Sequence, residues 1–133
     1  MKFKKLETLM LKTYHKEIYS KVMKSGGIDI LYPHLLEYYA LWYCRIFPGD
    51  IAMWLLDLIV IDGWYMSLTI ASTLFYFLKE KILACDDDMM CIDIILKKPL
   101  SNIDHFDKYV FMKQIKKMKI SPQQIDKWLL ECK

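Results

Sequence analysis

Between Ile51 and Leu78 the only charged side chains are Asp57 and Asp62, and Asp62 is followed at once by Gly63. So long an apolar stretch has to leave water, so it constrains the fold before anything else does. Asp62-Gly63 divides it, because glycine supplies the backbone conformations at which helices end. The uncharged piece that remains, Gly63 to Leu78, falls short of the roughly 20 residues a bilayer crossing requires. An aspartate near the centre of a span would also cost roughly 2.5–3.5 kcal/mol on insertion. Two consecutive core helices are therefore expected here, and no stable transmembrane insertion.

Helical periodicity extends this reading to both ends of the chain. Leu6, Leu9, Met10, Thr13, Tyr14, Ile18 and Val22 recur at three- and four-residue steps, which predicts one amphipathic helix from about Phe3 to Lys24, closed by Ser25-Gly26-Gly27. Leu35 to Ile46 leaves almost no polar face and predicts a helix buried on most sides. Phe47-Pro48-Gly49-Asp50 is turn chemistry, with Asp50 as the expected cap of a helix from Ile51 to Ile61. Trp64 to Ala84 is the longest apolar helix, and Asp88 is placed to cap a short one from Met89 to Lys97 before Pro99. Ser101 with Asp104 resembles a capping box for Ile103 to about Lys119. Ser121-Pro122-Gln123-Gln124 is a better one, opening a last helix with Ile125, Trp128, Leu129 and Cys132 on one stripe. No strand survives this periodicity. The expected fold class is all-α: one helical region over 1–100, with a helical tail over 101–133 packing on the same domain.

Length and charge narrow the function. A chain of 133 residues that is 55% hydrophobic can bury one real core. Its 19 basic and 16 acidic residues leave a net charge of +3, and Arg45 is the only arginine. Without the planar bidentate donor that reads guanine and phosphate, a nucleic-acid partner is not expected. Cys44, Cys85, Cys91 and Cys132 lie in or beside apolar helical text, which reads as reduced thiols. No pair is spaced C-x-x-C, and His15, His34 and His105 are scattered, so neither metal nor cofactor is expected. The basic start Met1-Lys2-Phe3-Lys4-Lys5 runs into Glu7 and Lys12 before any secretory apolar core. The expected location is cytoplasmic, with peripheral attachment to membranes left open.

Each remaining motif has a structural reading that outweighs a chemical one. Asp86-Asp87-Asp88 lacks the alternating ligands and final glutamate of an EF-hand and reads as a solvated junction. Asp57 is expected to satisfy neighbouring backbone or hydroxyl groups. Tyr38, Tyr39, Trp42, Tyr43 and Phe47 read as core, and Lys113 to Lys119 as a solvated face anchored by Ile115 and Met118. Ser67, Ser72 and Thr73 have no histidine near in sequence and no strand-to-helix elbow, so serine hydrolase chemistry has no support. No catalytic, cofactor-binding or metal residue is assigned.

The order of these elements carries a resemblance. His15-x-Glu17-Ile18-Tyr19, the aromatic helix Tyr38 to Ile46, Phe47-Pro48, an apolar helix carrying Trp54-Leu55-Leu56-Asp57, Asp62-Gly63, and a long helix ending in acid follow one another over Leu6 to Lys98. This resembles the C-terminal lobe of a TBC domain, the module of Rab GTPase-activating proteins in membrane trafficking. The family's Arg-Ile-Trp-Asp is matched by Trp54-Leu55-Leu56-Asp57, which keeps the acid and loses the arginine. The family's catalytic motifs, Ile-x-x-Asp-x-x-Arg and Tyr-x-Gln, are absent. Arg45 lies in the aromatic helix, and Gln114, Gln123 and Gln124 fall beyond the matched region. The resemblance thus implies a non-catalytic module that binds or regulates a Rab GTPase and is not an enzyme. The alternative is a helical protein–protein interaction or oligomerisation domain unrelated to GTPases, with a homo-oligomer as its partner.

Overall fold

The computed structural model describes residues 2–40, 43, 46–86 and 89–132. Eight α-helices and no strand occur among them: α1 (Lys2–Tyr14), α2 (Lys16–Lys24), α3 (Tyr32–Ala40), α4 (Gly49–Asp62), α5 (Met66–Ala84), α6 (Met89–Lys97), α7 (Lys108–Lys117) and α8 (Pro122–Glu131). Short 3₁₀ turns at Ile28–Ile30 and Pro99–Asn102 join α2 to α3 and α6 to α7. The fold is an all-α bundle.

The centre of the bundle is α5. Residues 66–75 are buried all round, and α1, α2, α4, α6 and α7 pack on this helix. Four small polar side chains lie in that buried stretch, and neighbouring groups answer three of them. Thr73 Oγ1 donates to the Thr69 carbonyl at 2.8 Å, Thr69 Oγ1 accepts from the Ile120 amide at 3.2 Å, and Ser72 Oγ meets His15 Nε2 at 2.8 Å. Hydroxyls can occupy a helix core when each finds such a partner.

The last helix closes over α1. Ser121 Oγ accepts from the Gln124 amide at 3.2 Å, and Pro122 takes the first helical position, as the sequence predicts. Ile125, Trp128 and Cys132 are buried, and the Trp128 ring meets Tyr14 edge-on at 6.0 Å.

Several expectations need correction. The N-terminal helix is two helices, because His15 leaves helical geometry at φ −135°, ψ 57° to carry its ring to Ser72. The aromatic helix begins at Tyr32, and Leu36 is half exposed. Positions 41, 42, 44 and 45 of the expected Leu35–Ile46 helix lie outside the described residues, as does the Asp88 cap. Tyr43 stands at φ +63°, held by its buried ring and by its hydroxyl donating to the Ser67 carbonyl at 2.7 Å. Pro48 occupies the cap position of α4, and Asp50 instead pairs with Lys108 Nζ at 2.9 Å. The 3₁₀ turn occupies Ser101, so α7 starts later, capped by Asp107 Oδ1 accepting from the Tyr109 and Val110 amides at 2.8 and 3.2 Å.

The cysteine reading fails at one pair. Cys85 and Cys91 are joined as a disulfide with their Cα atoms 5.8 Å apart. The six-residue step crosses the bend between α5 and α6 and brings the two thiols together. Cys132 is a buried free thiol, and Cys44 lies outside the described residues.

Gly63 takes φ +97°, ψ 166°, the positive φ expected of the Asp62-Gly63 turn. A side chain there would meet no heavy atom within 4 Å, so the constraint is the backbone and not space. Gly63→Val is expected to destabilise by about 1–3 kcal/mol, because this region is essentially closed to β-branched residues. An unchanged urea midpoint would refute that strain.

Candidate functional site

Titratable groups in the interior are few, and each is held by burial. Glu7 is fully buried on α1, and desolvation pushes its carboxyl up to about 8, opposed by the nearby Tyr39 hydroxyl, although neither carboxyl oxygen lies at hydrogen-bonding geometry to a partner among the described residues. Burial also drives the Tyr39 and Tyr43 phenols far above their ordinary value, with the nearby carboxyl adding to the effect. These groups stay protonated at neutral pH. They form a polar knot in the α1–α3 interior, where an ionised carboxylate would be strongly disfavoured.

His15 and Ser72 form the second buried pair, with His15 only 8% and Ser72 1% exposed. Desolvation drives the imidazole down to about 4, so the ring is neutral and its Nε2 shares a hydrogen bond with the serine. The absence of a histidine near Ser72 in sequence was therefore no guide to space, since 57 residues separate the two. The pair still lacks the setting of a hydrolase. Ser72 stands in the buried middle of α5, whereas a serine nucleophile needs an exposed turn.

Further ionic side chains, buried His34 among them, are paired by proximity. His34 Nε2 lies 2.6 Å from Asp93 Oδ1, and hydrogen bonding to that imidazole holds the Asp93 carboxyl below its ordinary range. Lys4 pairs with Asp29, and Lys79 Nζ lies 3.4 Å from Glu17 Oε1. Among the described residues no group of three or more metal-ligating side chains converges. Arg45, Asp87 and Asp88 lie outside the described residues. Gln114 is half buried on α7, while Gln123 and Gln124 open α8, so the three glutamines are not gathered at one point.

The most distinctive surface is the outer side of α4. This helix buries Ile51, Ala52, Leu55 and Ile59, yet Met53, Val60 and Ile61 on the other side are 62, 75 and 78% exposed. Trp64 continues the stripe just beyond the helix at 38%. Asp57 sits in the middle of it, exposed, so the expectation that it satisfies neighbouring groups is overturned. The reason is angular: Asp57 is four residues from Met53 and from Ile61, which puts all three on one face. Exposed apolar side chains in contiguous rows mark binding surfaces more often than scattered ones do.

The lysine run on α7 behaves as a solvated face. Phe111 and Ile115 are buried, with Phe111 packed against Phe47 at 5.1 Å and Phe77 at 5.8 Å between ring centres. Lys113, Lys116 and Lys117 are exposed. No helix among the described residues is long and apolar enough to cross a membrane. Comparison with protein-family models, with curated proteins and with solved structures finds no match to this chain.

Proposed function

We propose that this chain is a non-catalytic helical binding module of the TBC type, engaging a small GTPase of the Rab family. The observation that carries the reading is the order of elements from α3 to α5. In the sequence the aromatic stretch Tyr38 to Ile46, Phe47-Pro48, an apolar segment with Asp57, Asp62-Gly63 and a long apolar segment succeed one another, and α4, the positive-φ turn at Gly63 and α5 are compatible with that order. Acceleration of GTP hydrolysis calls for a guanidinium against the charge developing on the phosphoryl group and a carboxamide orienting the attacking water. The sequence carries neither motif.

Capture of GTP-loaded over GDP-loaded Rab proteins, across a panel, tests the binding. Single-turnover hydrolysis by the same panel is expected to stay at background. Acceleration of about a hundredfold that vanishes in Arg45→Ala would give this arginine a catalytic role and overturn the reading. A second reading, a helical interaction or oligomerisation domain with no link to GTPases, draws on the exposed stripe of Met53, Val60 and Ile61. Failure to capture any Rab, together with a concentration-dependent mass in light scattering, would favour it.

A further inference from the structure

We propose that the outer faces of α4 and α7 together form a docking surface for an anionic membrane, with apolar side chains of α4 entering the headgroup layer and lysines of α7 meeting the lipid charges. Two ion pairs align the helices. Lys108 Nζ lies 2.9 Å from Asp50 Oδ2 where both helices start, and Lys119 Nζ, two residues past the end of α7, lies 3.4 Å from Asp62 Oδ1 at the end of α4. These lysines bridge the helices at both ends across α5, so the two helices run in the same direction. Each packs on α5, α4 through Leu55 and Ile59 and α7 through Phe111 and Ile115, so their opposite stripes both point away from the core.

On α4 the outward stripe is Met53, Val60, Ile61 and Trp64; beside it α7 presents Lys113, Lys116 and Lys117. Asp50 and Asp62 are offset by their lysine partners, which leaves Asp57 as the acidic side chain within the α4 stripe. A lysine ridge alongside an apolar row with a tryptophan at its end is the pattern of helices that lie in a membrane interface. Lysines act as point charges and need no fixed geometry, which suits a diffuse anionic surface. Self-pairing by a twofold axis would bring a second copy's lysine ridge into the same interface, which like-charge repulsion opposes. The surface is independent of the GTPase reading.

Sedimentation with vesicles of phosphatidylcholine alone, and of phosphatidylcholine with phosphatidylserine, tests this on the full chain. Binding is expected to the anionic vesicles and to weaken as salt rises. The triple variant Lys113→Gln, Lys116→Gln, Lys117→Gln should bind about a hundredfold more weakly, at roughly fivefold for each lysine lost near the surface. Val60→Ser with Ile61→Ser should lose at least about tenfold through the apolar contribution. All five sites are exposed, and helical circular dichroism checks that the variants fold; the salt series on the unmodified chain needs no variant. Equal binding to neutral and anionic vesicles, no binding to either, or undiminished binding of the lysine variant would overturn the proposal. So would a dimer, seen by light scattering, that Val60→Ser and Ile61→Ser dissociate.

Discussion

Glu7→Gln is expected to stabilise this protein at pH 7 by about 3 kcal/mol and to abolish the loss of stability expected as the pH rises towards 8. The carboxyl is raised from 4.5 to about 8 in the folded state, so between those values the unfolded chain releases a proton that the folded chain keeps. Stability therefore falls as pH rises through that window, by about 1.4 kcal/mol per unit, and the fall ends above the folded value. His15 acts in the opposite sense. Its imidazole is lowered from 6.5 to about 4, so the unfolded chain takes up a proton that the folded chain refuses, and stability falls as pH drops through that range. The two slopes oppose each other between 4.5 and 6.5, and Glu7 acts unopposed from 6.5 to 8. Urea midpoints across this range would show the unmodified chain falling above 6.5 and the glutamine variant level there. Any packing cost of the carboxamide is independent of pH, so it shifts the variant's curve without tilting it. Parallel curves would show that Glu7 does not carry the proton.

The division of the apolar stretch into α4 and α5 was legible because one glycine and one aspartate interrupt an otherwise uniform run. The last helix was legible for a similar reason, since Ser121, Pro122 and Gln124 hold defined positions in its first turn. The break at His15 had no such local signal. It depends on Ser72, 57 residues away, and hydrogen bonds from the His15 amide to Leu11 and from the Tyr19 amide to His15 run past it almost as in a continuous helix. The start of α7 was misplaced because Ser101 and Asp107 are both good caps, and only the intervening 3₁₀ turn decides between them.

Glu7 could have been found. It is four residues before Leu11, which is itself seven before Ile18, and those two apolar residues are buried. A helical stripe that places a glutamate in register with them predicts its burial, although the sign of its charge hides it in any reading by polarity. The outer face of α4 was marked in the sequence by Asp57 alone, and a reading that turned this aspartate towards neighbouring groups of the bundle hid which side meets water. Its alignment with α7 rests on Asp50–Lys108 and Asp62–Lys119, each more than fifty residues apart in sequence.

Removing the Trp128 side chain is the other change with a large expected effect. The ring is 2% exposed, lies between α8 and α1, and contacts Tyr14 edge-on. Trp128→Ala is expected to cost about 3–5 kcal/mol, since an aromatic of this size leaves a void that neighbouring side chains only partly fill. Against the 5–15 kcal/mol typical of a domain, roughly speaking, such a loss brings the native state close to its limit. A chain ending at Ile120 goes further, because it uncovers the side of α1 on which Ile125, Trp128 and Cys132 rest. Contiguous apolar surface of that kind drives self-association, most simply as a twofold pair burying the same face. Light scattering over a dilution series should then show the shortened chain heavier than a monomer. A shortened chain that stays monomeric, with the urea midpoint of the full one, would mean that α8 rests on the bundle without covering any surface the fold needs buried.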